Sequence, residues 1–182
     1  MDTAGHIKKG LRNKRVINVL IRHMVHRDMA QVMRIEHESF NFSWTKEDFL
    51  GCLRQRNCNG MVVEYNNRIV GFMLYELLKP RLHILRFAVK SDYRRQTVGQ
   101  QMVDKLEDKC SAQQHNQIVL EVRETNLAGQ YFFHSQEFRA KKVLRGYYAD
   151  SGEDAYLMVY RLPGHPGEDI APIPQNRINS YW

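Results

Sequence analysis

The chain has 182 residues, a formal charge of +7 and 43% hydrophobic residues. That is ample for one domain that buries about 70% of its unfolded surface without cross-links, and no apolar run approaches the roughly 20 residues of a membrane span. A strongly basic core is excluded, because Lys8, Lys9, Arg12, Lys14 and Arg15 stand against Asp2 in residues 1–15 and leave the remainder only mildly basic.

This basic tail, residues 1–15, reads either as a weak RNA contact or as a plain leader. No apolar h-region follows it, so a secretory signal is not expected. Ile17–Ile21 is short, β-branched and apolar, and predicts a first strand. Asp28–Phe40 places Met29, Val32, Met33, Ile35 and Phe40 near helical spacing. An aromatic loop follows, Phe40-Asn41-Phe42-Ser43-Trp44, whose rings either plug the gap between two helices or line a substrate groove. Thr45 and Asp48 form a capping box for a second helix that carries Phe49 and Leu53.

Gly60–Tyr65 and Arg68–Leu78 predict two strands, and Asn66-Asn67 between them suits a two-residue turn because Asn tolerates positive φ. Pro80 breaks the run, and Leu82–Val89 is apolar enough for a central strand. Val98, Met102, Leu106 and Cys110 recur every four residues on a long helix. Gln117–Val122 is another strand, Asn126 can cap a helix over Leu127–Gln136, and Arg139–Tyr148 with Ala155–Leu162 predict a closing hairpin. Four prolines and two glycines mark residues 163–182 as an extended tail. Strands and helices in this order make a mixed α/β domain over residues 16–162.

Cys52, Cys58 and Cys110 are odd in number and lack a short paired spacing, which argues against disulfides and for a reducing cytoplasm. Eight histidines show no metal-ligand spacing, so no metal is expected.

The most informative stretch runs from Phe87 to Gln100: a buried strand, a tight basic loop and a helix start. The N–H groups of a loop entering a helix converge on one point, and the helix dipole makes that point positive. Arg94 and Arg95 add charged forks suited to phosphate oxygens. These residues predict a site for a di- or triphosphate ligand, against the alternative of a surface turn that carries two arginines.

The element order, with an Arg/Gln-x-x-Gly-x-Gly/Ala loop opening the third helix, resembles the GNAT acyltransferases, which use acetyl-CoA. Arg94-x-x-Thr97-x-Gly99 fits that loop except at Thr97. Three further segments resemble the RimI family within it: the aromatic loop Phe40–Trp44, Leu120-Glu121-Val122-Arg123-Glu124-Thr125-Asn126, and Arg145-Gly146-Tyr147-Tyr148 followed by Glu153-Asp154-Ala155. The resemblance covers about residues 17–162. It implies a central, mostly antiparallel sheet of about seven strands with about four helices. It also implies a cytoplasmic enzyme that moves acetyl from acetyl-CoA to the N-terminal α-amine of a protein, for RimI a ribosomal protein. Another amine as acceptor, or a weakened CoA-binding module, is the alternative.

Carried over residue by residue, the resemblance makes Glu121 the general base. The backbone of Arg95, Gln96, Thr97, Val98, Gly99 and Gln100, with Arg94, would hold the pyrophosphate. Phe87, Ala88 and Val89 would run beside the pantetheine arm. Asn126 is either near that arm or a plain helix cap. Phe42, Trp44, Tyr147 and Asp150 would meet the acceptor, and the hairpin carboxylates Asp150, Glu153 and Asp154 would either receive a basic peptide or form a solvated turn. The family's acidic tyrosine is replaced by Phe133, which has no proton to give; Tyr131 or Tyr147 would substitute, or no acid is needed because a thiol of pKa about 8.5 leaves tolerably unprotonated. Thr97 in place of glycine makes positive φ costly, and Glu137 stands where the family ends a helix with glycine.

Overall fold

The computed structural model describes residues 16–164. The basic tail 1–15, with its expected RNA contact, and the proline-rich tail from residue 165 lie outside the described residues. The elements are β1 (Leu20–His23), α1 (Met29–Ser39), α2 (Lys46–Leu53), β2 (Cys58–Tyr65), β3 (Arg68–Leu78), β4 (Arg81–Val89), α3 (Val98–Ala112), β5 (Gln117–Arg123), α4 (Leu127–Ser135), β6 (Arg139–Leu144) and β7 (Ala155–Arg161). The strands form one sheet in the order β1-β2-β3-β4-β5-β7-β6. Only β4 and β5 run parallel, joined by the α3 crossover; every other pair is antiparallel.

Period-two alternation sends each strand's apolar residues to two cores. On one face Met73, Tyr75, Leu82 and Leu120 pack against the α3 stripe of Val98, Met102, Leu106 and Cys110. On the other Val62, Phe72 and Leu74 pack against Val32 and Ile35 of α1 and Phe49 of α2. Asn66 and Asn67 both have positive φ, as the tight β2–β3 turn requires. Thr45 Oγ accepts from Asp48 N at 3.2 Å and Asp48 Oδ2 accepts from Thr45 N at 2.6 Å, the reciprocal cap of α2.

Three expectations need correction. The first strand begins at Leu20, not Ile17, because Gln101 of α3 captures the preceding backbone: its Nε2 donates to Ile17 O at 2.7 Å and its Oε1 accepts from Val19 N at 3.4 Å. Strand β6 ends at Leu144, since Gly146 turns with φ +56° and its N–H donates to Asp154 Oδ1 at 2.8 Å. Cys52 and Cys58 form a disulfide. Two successive reversals, Gln55 N to Cys52 O and Cys58 N to Gln55 O, bring their Cα atoms to 5.9 Å, inside the span a disulfide needs. Cys110 is buried and free.

Candidate active site

Strands β4 and β5 pair from Arg81–Gln117 to Ile84–Leu120 and pair no further. The cause is visible on the other side of β4. Leu74 lies opposite Arg86 and Tyr75 opposite Ile84, so Leu85 is an extra residue and β4 bends away from β5. The two strands splay, and a cleft of about 140 Å³ opens between them, floored by Ile84–Phe87 and Leu120–Arg123 and walled by Phe40, Trp44, Asn126, Phe133, Tyr147 and Tyr148.

Glu121 is the first residue beyond the last β4–β5 pair. Leu120 and Val122 belong to the α3-side core, so alternation turns Glu121 to the opposite face. Its side chain is only 7% exposed, and Oε2 lies 2.7 Å from His83 Nε2. Its Oε1 is buried and has no hydrogen-bond partner among the described residues. A buried carboxylate oxygen left open at a cleft is the acceptor an incoming N–H would satisfy. His83 Nδ1 in turn lies 3.8 Å from Glu76 Oε2, and both side chains are 2% exposed. Burial alone would pull the imidazole down; the flanking carboxylates of Glu121 and Glu76 outweigh it and push it up to about 9. Tyr148 donates its hydroxyl to Glu121 O at 3.2 Å, and burial pushes that phenol up.

The aromatic loop packs into the core and also borders the cleft. Trp44 is buried edge-on against Phe49, and it also lines the cleft. Glu36, fully buried on α1, accepts Trp44 N at 2.8 Å and a short bond from Arg86 Nη2. Arg86 also donates to Phe42 O at 3.0 Å and stacks 4.0 Å from the Phe40 ring centroid. Phe42 lies at the rim, 44% exposed, with Arg123 stacked between its ring and that of Tyr148. Arg123 binds Asp150 at 2.5 Å and Glu153 at 2.7 Å. Bonds from Thr125, Arg123 and Ser151 hold Glu153 down to about 2, and Asp154 is paired with Arg145. The hairpin carboxylates are thus engaged by Arg123 at the end of β5, by Thr125 just beyond it and by Arg145 just after β6.

Before α3, Arg95 and Thr97 both adopt positive φ, +62° and +66°, and Val98, Gly99 and Gln100 occupy the first turn, whose N–H groups have no intrahelical acceptor. Thr97 accepts the strained backbone its side chain disfavours, and its hydroxyl donates to Gln96 O at 2.6 Å. At Gly99 a Cβ would meet the Phe132 ring at 2.9 Å, so only glycine lets α3 approach α4 this closely. Arg94 is committed to the strand end, its Nε donating to Val89 O at 2.8 Å. Asn126 caps α4 by accepting Gly129 N at 2.9 Å and also borders the cleft. The loop's alternating backbone, its free amides and the open edge of β4 suit a pyrophosphate joined to an extended arm, which is the shape of acetyl-CoA.

Tyr131 is 74% exposed and does not line the cleft, which leaves Tyr147 as the cleft tyrosine of the two expected substitutes for Phe133. His83, Glu76, Glu36, Arg86 and Tyr148 escaped sequence reasoning. His83 and Glu76 carried a usable signal: each is an ionisable residue inside a largely apolar strand, where a charge is costly unless it is paired or faces a cleft. Among the described residues, no group of three His, Cys, Asp or Glu side chains is arranged to hold a metal ion, and no helix is long and apolar enough to cross a membrane.

The family model for the acetyltransferase (GNAT) family matches residues 15–138. The chain is 32% identical to an uncharacterized N-acetyltransferase of Methanocaldococcus jannaschii, over 85% of this chain and 99% of that protein. It is 31% identical to an N-alpha-acetyltransferase of Sulfolobus acidocaldarius, over 82% and 96%. It is 27% identical to a protein of Bacillus subtilis named as a putative ribosomal protein bS18-alanine N-acetyltransferase, over 76% and 92%. Among solved structures, the ribosomal-protein-S18-alanine N-acetyltransferase of Escherichia coli superposes with a TM-score of 0.73 at 23% identity, over 85% of this chain and 99% of that one, a likeness of fold.

Proposed function

The chain belongs to the GNAT acetyltransferase family, and on that premise we propose that it acetylates the N-terminal α-amine of a protein, most specifically a ribosomal protein with a small first residue. The observation that carries the reading is the open, buried Oε1 of Glu121 at the apex of the β4–β5 splay. The names of the Sulfolobus and Bacillus relatives support the α-amine and the ribosomal acceptor respectively.

When bound, acetyl-CoA supplies an activated thioester carbonyl and a thiol leaving group. The backbone amides of Val98, Gly99 and Gln100, with Arg95 beside them, would hold its phosphates, and the edge of β4 at Phe87 would align the arm. An α-amine has a pKa of about 8, so near neutral pH most of it is ammonium and cannot attack. Glu121 Oε1 takes that proton, while His83 bonded to Oε2 keeps the carboxylate from rotating out of reach. Phe40, Trp44 and Tyr147 wall the space around the amine and restrict the first side chain. Phe133 would offer the thiol no proton, and a thiol of pKa about 8.5 would tolerate leaving without one.

Purified protein given acetyl-CoA and a panel of amines tests the assignment. Peptides with free N-termini, headed by the ribosomal bS18 sequence, are compared with N-blocked lysine peptides, polyamines and aminoglycosides. Thiol release with the α-amine peptides by a margin of at least about tenfold is expected; preference for lysine or a small amine would sink the proposal.

A further inference from the structure

Glu76, His83 and Glu121 form a row of three buried ionisable residues across β3, β4 and β5. The pairing makes this inevitable. Glu76 lies directly opposite His83, His83 opposite Val119, and Glu121 is two residues further along on Val119's face. We propose that Glu76 is a positioning residue for acetyl transfer: acting through His83, it keeps the imidazole doubly protonated and so holds Glu121 in place as the proton acceptor. This rests on the assignment of Glu121 as the base.

The geometry leaves a neutral imidazole no comfortable tautomer. Nε2 faces Glu121 Oε2 at 2.7 Å and Nδ1 faces Glu76 Oε2 at 3.8 Å. A neutral ring would turn one lone pair toward a carboxylate in a site shielded from water, whereas the imidazolium turns an N–H toward each. The Nδ1 contact is an ion pair rather than a hydrogen bond, since 3.8 Å exceeds hydrogen-bond reach. Arg86 is committed to Glu36 of α1, Arg123 to Asp150 and Glu153, and the Tyr148 hydroxyl to Glu121 O. Cys58, opposite Glu76 on β2, is locked in the disulfide.

Turnover explains why a second carboxylate is needed. When Glu121 takes a proton from the amine, it becomes neutral and stops balancing His83. An imidazolium buried without a counter-charge sheds its proton. Glu76 supplies the remaining negative charge, so His83 stays a cation and a donor to Glu121 through the whole cycle.

The test joins spectroscopy to a pH profile. In the wild-type protein, ring nitrogen shifts of His83, assigned by their loss in His83→Gln, are expected to show both nitrogens protonated at neutral pH, the proton leaving near 9. A ring carrying one proton at neutral pH overturns the proposal whether or not any variant folds. For kcat/KM against pH, Glu76→Gln is expected to move the alkaline fall acidward by about one unit or more, and Glu76→Asp to move it back toward wild type. A loss uniform at every pH, or an unmoved alkaline limb, marks Glu76 as merely structural and overturns the proposal. Full activity of Glu121→Gln would remove the base assignment instead, and the His83 spectrum keeps the two failures apart.

Discussion

Replacing Glu36 by alanine should be the most damaging single change outside the β4–β5 cleft itself. Glu36 is fully buried and serves two donors, Trp44 N at 2.8 Å and Arg86 Nη2. Removing it leaves Arg86 a charge without its carboxylate, in a site where burial already pulls the guanidinium down. Breaking one side of a buried pair costs about 3–5 kcal/mol, and for a chain of this size each kcal/mol is worth roughly 2–4 °C, so the melting temperature should fall by roughly 6–20 °C. The damage reaches function, because Arg86 anchors Phe42 O and underlies the Phe40 ring; the acceptor KM should rise while acetyl-CoA affinity stays near wild type. The double variant Glu36→Leu, Arg86→Met removes the stranded charge and keeps an apolar stem against the rings, so it should recover more than half of the loss. Urea titration with the two single variants and the double gives the coupling directly. A loss below about 1 kcal/mol in Glu36→Ala, or a double variant as damaged as the sum of the singles, would refute the reasoning.

Three further outcomes follow from the same contacts. His83 titrates near 9 in the fold against an ordinary 6.5, so it contributes stability that is full below pH 6.5 and lost as pH rises through 9; unfolding free energy should drop by about 3 kcal/mol across that window, and a flat or rising profile counts against the charged imidazole. Glu137 ends α4 with φ +66°; Glu137→Gly relieves about 1 kcal/mol of strain, partly offset by unfolded-chain entropy, and should raise the denaturation midpoint slightly, whereas a clear fall would contradict it. Phe133→Tyr restores a phenol at the cleft wall and should raise kcat by about tenfold or more if thiolate departure limits the rate; an unchanged or lower rate says that it does not.

The architecture was legible because each element carried its own period and its own punctuation. Thr45 and Asp48 announced α2, paired asparagines announced the β2–β3 turn, and the four-residue stripe from Val98 to Cys110 announced α3. Glu121 was legible through the resemblance of the Leu120–Asn126 segment to the RimI family, not through the periodicity of its strand. What the linear pattern hides is how distant segments meet. Gln101 of α3 capturing the backbone near Ile17 and Glu36 reaching Arg86 fifty residues away both depend on packing that no local window contains, whereas the Cys52–Cys58 bridge is local and was hidden by the odd number of cysteines. The hairpin carboxylates show the same limit from the other side: their charge was plain in the sequence, but their commitment to Arg123 and Arg145 needed the fold.

The central claim is that Glu121, open at the apex of the splay, takes the proton from the acceptor amine. Turnover of Glu121→Gln with an α-amine peptide, followed from below to above the amine's own pKa of about 8, tests it most directly. A loss of about 10² or more in kcat/KM near neutral pH, shrinking as the amine deprotonates on its own, is the predicted result. A loss below about tenfold that does not vary with pH would contradict it.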